Sequence, residues 1–215
     1  MNRLSGCPPI DGRGVLMSTV RFDGQRLREV LTTLTLSGRI AFAASCVEVL
    51  VASYVRYSEL EQVGDANLVR ASVDAVWSAL EGREPEVIHS DLPSPESVKE
   101  LLPSADEWNE WAPQAEDAIA SLVYLLELLG ADDASYAAYT AERAYAAVDE
   151  FAAREQGLEV LDADDREALR ESPLVQAELR RQAEALRLLQ ESTVERSAVT
   201  ELRTAARRLS VGGAL

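Results

Sequence analysis

The sequence predicts an all-α protein, a single-domain multi-helix bundle of about eight or nine helices around two apolar central helices. Three observations carry this prediction. Every apolar run in the 215 residues repeats near 3.6, and none alternates as a half-buried strand would. Glycine (11) and proline (8) are scarce while Ala, Leu, Glu and Arg dominate, which favours helix over sheet. Two stretches, Ser37 to Tyr57 and Trp111 to Gly130, leave only a narrow polar edge, as helices surrounded by others do.

Residues 1–21 are read as a leader outside the fold, either disordered or a mis-assigned start, and 22–215 as one helical domain. The segment MNRLSGCPPIDGRGVL has no signal-peptide apolar run, and Met17 opens a cleaner start. Asp23 is the N-cap of a first short helix carrying Leu27, Val30, Leu31 and Leu34. Ser37 and Gly38 then break that helix and cap the first central one. At 100° per residue, Ser45, Glu48, Ala52, Arg56 and Glu59 form its one polar stripe, suited to water or a buried polar partner. A membrane span would place Glu48 near mid-bilayer at about 2.5–3.5 kcal/mol, so a core helix is expected instead.

Asp65 caps a third helix with Val69, Val73, Val76, Trp77 and Leu80 inward, and Gly82 ends it. Residues 83–110 are irregular apart from a short helix from Ser94-Pro95 to about Leu102, stopped by Pro103. The capped turn at Pro103, Ser104 and Asp106 lies in this long connection, the first place to look for a partner surface. The second central helix, Trp111 to Gly130, carries Asp117, Ser121 and Tyr124 on its polar edge and should pack on the first. Asp132 and Asp133 cap a helix over Ala134 to Glu155, whose alanines permit close approach. A short helix follows behind Asp162, another starts at Ser172-Pro173, and a last one spans about Thr193 to Leu209. Arg203, Arg207 and Arg208 are placed to meet its negative C-terminal end.

The net charge of −16 is uneven: residues 1–57 carry +3, residues 58–172 carry −21 and residues 173–215 carry +2. Such a field repels phosphate backbones and anionic lipid, so neither nucleic acid nor a membrane surface is an expected partner, whereas a basic protein is. Two cysteines, Cys7 and Cys46, make no disulfide framework, and a reducing cytoplasm fits them.

LSGRIAFAASCVEVL, LPSADEW, EDAIASLVYLLELL and ESPLVQAELRRQAEALRLL, in this order and spacing, resemble the YjaG-type bacterial family, a group of unassigned function. The resemblance spans about Phe22 to Leu189. It implies an all-helical cytoplasmic domain and no activity. Glu48, the Pro103 to Asp106 turn, Asp117 and the Ser172 to Leu174 cap fall on its motif positions, whereas the leader and the heavy Ala and Arg content depart from it.

Catalytic signatures are weak. Glu86 and His89 make one Glu-x-x-His, but helical di-iron sites need two and the chain has a single histidine. Glu81 with Glu84 and Glu107 with Glu110 have the spacing of magnesium-binding pairs, yet Gly82, Pro85 and a turn disturb them. No metal and no cofactor are expected. Glu48 and Asp117 are acids on apolar helices, which must be paired, hydrogen-bonded or protonated; Arg39, Arg56 or a tyrosine are the expected partners. The leading functional expectation is a non-catalytic interaction or regulatory module binding a protein partner. The alternatives are a magnesium-dependent small-molecule (nucleotide) hydrolase and an immunity-type inhibitor of a basic toxin.

Overall fold

The computed structural model describes residues 19–82, 92–104, 106, 109–158, 162–191 and 196–210. Among the described residues there are nine α-helices and no strand, and they form one helical bundle. They are α1 (Gly24–Thr32), α2 (Leu36–Glu61), α3 (Ala66–Leu80), α4 (Pro95–Lys99), α5 (Ala112–Ala131), α6 (Ala134–Glu155), α7 (Ala163–Arg170), α8 (Pro173–Glu191) and α9 (Arg196–Arg208).

Capping chemistry sets most boundaries. Asp23, Asp65, Ser94 and Asp133 each accept a backbone N–H from the first turn of α1, α3, α4 and α6, relieving donors with no partner inside the helix. Asp162 and Asp165 make a reciprocal capping box at α7. Ser172 Oγ accepts from Val175 N at 3.3 Å at the start of α8.

The expected cap of α2 needs correction. Thr35 is the N-cap, its hydroxyl accepting from Gly38 N at 3.1 Å, so Ser37 and Gly38 lie inside the first turn. At its other end α2 runs on to Glu61, and Gln62 closes it in the left-handed region at φ 58°. Gly64 follows at φ +75°, where a Cβ would collide with the Tyr54 hydroxyl. That hydroxyl accepts from Asp65 N at 3.3 Å, so the turn closes directly onto the core. The short α4 stops at Lys99, and a turn carries the chain on to Leu102.

The core is built on α2, which packs against α3, α5, α6, α8 and α9. From Ile40 to Val51 every side chain of α2 is buried, Glu48 included. This helix is long and apolar enough to cross a membrane, yet 78% of its most apolar window is buried inside the bundle. Its neighbour α5 contributes Ile119, Leu122, Leu125 and Leu128, all fully buried. Ala137, Ala141, Ala144 and Ala147 of α6 are likewise fully buried, and these small side chains let α6 pack tightly on α2 and α5.

The proposed leader, residues 1–21, lies mostly outside the described residues. Its last part is held: Val20 exchanges two 2.9 Å hydrogen bonds with the Gln176 side chain, and just past it Phe22 stacks on Tyr145 at 5.0 Å.

Candidate functional site

Three polar clusters interrupt the apolar interior. The first is centred on Glu48, whose side chain is fully buried in the middle of α2. Arg70 Nη1 donates to its Oε1 at 2.6 Å and Arg207 Nε at 3.0 Å, while Trp77 Nε1 donates to its Oε2 at 2.8 Å. Arg203 Nε stands 3.7 Å from Oε2 and its guanidinium also pairs with Asp74. Burial alone would raise the Glu48 carboxyl, but the hydrogen bonds of Arg207 and Arg70 win and hold it below its ordinary value.

The partners are not the expected ones. Arg39 donates to Leu34 O at 2.8 Å and pairs with Asp132, while Arg56 lies 4.0 Å from Glu59 at the surface. Arg207 and Arg208 lie in the last turn of α9 as expected, and Arg207 together with Arg203 also reaches across to α2 and α3. The polar stripe of α2 divides accordingly: Ser45 and Glu48 meet buried partners, and Arg56 and Glu59 meet water.

The second cluster is Asp117 of α5 with Arg143 of α6, whose Nη1 donates to Oδ1 at 2.9 Å. Burial pushes the Asp117 carboxyl up to about 6 against the pull of Arg143, and Glu150 and Glu116 add to the rise. Among the described residues Asp117 shares no hydrogen-bond or ion-pair partner with Glu48, so the two acids form separate networks rather than one site.

The third cluster was invisible in the sequence. Glu178 and Arg181, both on α8, form a buried two-pronged pair, Nε to Oε2 at 2.7 Å and Nη2 to Oε1 at 2.8 Å. Arg181 Nη1 also donates to Ser45 Oγ at 3.0 Å, and Gln182 Nε2 donates to Glu178 Oε1 at 2.7 Å and to Ala141 O at 3.1 Å. The network thus joins α8 to α2 and α6. Burial pushes the neighbouring Cys46 thiol up to about 11, so it is inert as a nucleophile. The only signal for this cluster was a Glu-x-x-Arg spacing, which on an amphipathic helix reads as a surface pair.

Pro103 is half-buried, and Ser104 and Asp106 are exposed, which leaves the proposed partner turn accessible. Glu84, Glu86, His89 and Glu107 lie outside the described residues. Among the described residues, no group of three histidine, cysteine, aspartate or glutamate side chains is arranged to hold a metal ion.

The structure superposes on the crystal structure of a DUF416 family protein from Shewanella baltica OS155 with a TM-score of 0.69 at 16% identity, covering 84% of this chain and 93% of that one. At that identity the likeness shows the fold. No curated protein matches the chain. The family model described as a protein of unknown function (DUF416) matches residues 26–212, and the chain therefore belongs to the DUF416 family.

Proposed function

We propose that this chain, which we group with the YjaG-type members of its family, is a non-catalytic cytoplasmic module that binds a basic protein partner. The acidic surface of α5, α6 and α7 is the binding face. One observation carries the reading: several arginines are drawn onto buried acids while other acids are left unpaired at the surface. Arg70, Arg203 and Arg207 gather on Glu48 and Arg181 on Glu178, whereas Glu116, Glu142, Glu150, Glu155 and Asp164 are exposed without an ion pair to any described residue. A surface of one sign steers an oppositely charged partner and raises its association rate. The buried, unreactive Cys46 suits a reducing compartment.

The test is affinity capture from the native cell extract with wild type and a variant carrying Glu116→Gln, Glu142→Gln, Glu150→Gln and Glu155→Gln. The reading predicts a basic protein retained by wild type, released by raised salt and lost with the variant. A captured set that the variant leaves unchanged would overturn it.

A further inference from the structure

The seam between α8 and α9 is not filled by side chains. Ala177, Ala185 and Ala205 stand in it where larger residues would close it, and a cavity of about 390 Å³ remains, a volume in the range of small-molecule sites. Leu188, Leu202 and Leu209 complete an apolar wall, and no residue of the acidic helices α5, α6 and α7 lines it.

The charges around this wall are sorted by sign. Only residues 192–195 lie between α8 and α9, and so short a connection sets the two helices antiparallel. Ala177 and Arg180, in the first half of α8, thus come beside Arg208 and Leu209 at the end of α9, while Glu184 and Leu188 come beside Glu201. Arg180 and Arg208 are exposed, and neither makes a hydrogen bond or an ion pair to any described residue. Arg181 also lines the cavity, but its guanidinium is occupied by Glu178 and Ser45. At the opposite end Glu184 is held by Arg187 at 2.5 Å, which leaves Glu201 as the one acid of this wall without an ion pair to any described residue.

We infer that this cavity binds a carboxylate carried on a linear alkyl chain, with the head between Arg180 and Arg208 and the chain along Leu202 and Ala205 toward Leu188. Two guanidinium groups from different helices suit one carboxylate, because each offers a fork of N–H donors to its oxygens. Both groups are open to solvent, so a ligand reaches them without any rearrangement of the core. The preference for an anion is local, since the net charge of −16 favours cations everywhere else. The site shares no element with the acidic face assigned to a protein partner, and it stands or falls independently of that reading.

The experiment is calorimetric titration of the full chain with octanoate, beside hexanoate, 1-octanol and octylammonium. Saturable binding in the order octanoate, octanol, octylammonium is expected. Hexanoate should bind about tenfold more weakly than octanoate, because each methylene placed in an apolar wall is worth about three- to fourfold. The variant carrying Arg180→Gln and Arg208→Gln should weaken octanoate by at least about tenfold and leave octanol within about twofold, as loss of charged hydrogen bonds to the head alone does. Arg56→Gln, which removes the same charge from the exposed part of α2, should shift octanoate by less than about twofold. Ala205→Leu fills the cavity and should weaken octanoate and octanol alike. Unchanged melting temperatures for the exposed arginine variants show that lost binding is not lost folding. Octylammonium or octanol binding as tightly as octanoate, equal losses in the double variant and Arg56→Gln, or no saturation in the millimolar range would overturn the inference.

Discussion

Asp117 and Glu48 are both acids set into apolar helices, and their surroundings drive them in opposite directions. Three arginines and an indole N–H converge on Glu48, so the charged form is favoured despite burial. Asp117 has one arginine, itself half-exposed, and its carboxyl is raised to about 6 from 3.8. A raised acid binds more protons in the folded state, so its contribution favours folding below pH 3.8 and is lost as pH rises through about 6. Asp117→Asn abolishes that titration. The variant should therefore match wild type near pH 4 and gain on it by roughly 1–3 kcal/mol by pH 7.5, read by urea unfolding at the two pH values. A difference that does not change with pH would show that Asp117 is ionised at no cost. Both acids were legible in the sequence because a carboxylate in an apolar run stands out. Their partners were not, because Arg70 and Arg207 lie 22 and 159 residues from Glu48 and Arg143 lies 26 from Asp117, and only the fold brings them close.

At the scale of elements, helix starts were legible wherever a short polar side chain precedes an apolar periodic run, as at Asp23, Asp65, Ser94, Asp133 and Asp162. The start of α2 was not, since Ser37-Gly38 looks like a break while the Thr35 hydroxyl does the capping two residues earlier. The Glu178–Arg181 pair was hidden for a related reason: local spacing shows that two side chains meet, not whether other helices cover them. The turn from α2 to α3 gives an element-level test. Gly64 combines a positive φ with the Tyr54 hydroxyl where a Cβ would sit. Gly64→Ala should cost about 2–4 kcal/mol, the left-handed strain added to overpacking, whereas Gly82→Ala, at φ +96° with no atom near, carries the strain alone. Equal losses at the two glycines in thermal or urea unfolding would contradict the close approach to Tyr54.

Over the whole molecule, the same interactions that fasten the periphery to the core also shape the surface. Arg203 and Arg207 bring α9 onto α2 and α3 through Glu48 and Asp74, and Glu178 with Arg181 fastens α8 to α2 through Ser45. With these arginines paired to buried acids, the acid of residues 58–172 faces solvent with few cations to offset it. Total charge and its placement along the chain were legible from the start; the pairing of these arginines with buried acids was not, because it depends on which helices cross. The bundle's integrity thus hinges on Glu48, and urea unfolding of Glu48→Ala and Glu48→Gln beside wild type tests this most directly. Removing one side of a buried ion pair typically costs about 3–5 kcal/mol. Arg70 and Arg207 retain a path to water, while the fully buried Trp77 loses its acceptor. The predicted loss for Glu48→Ala is accordingly near the lower end, about 3 kcal/mol, with a smaller loss for Glu48→Gln, which keeps an acceptor for the indole. A Glu48→Ala protein as stable as wild type, or more stable, would contradict the structural role of the cluster.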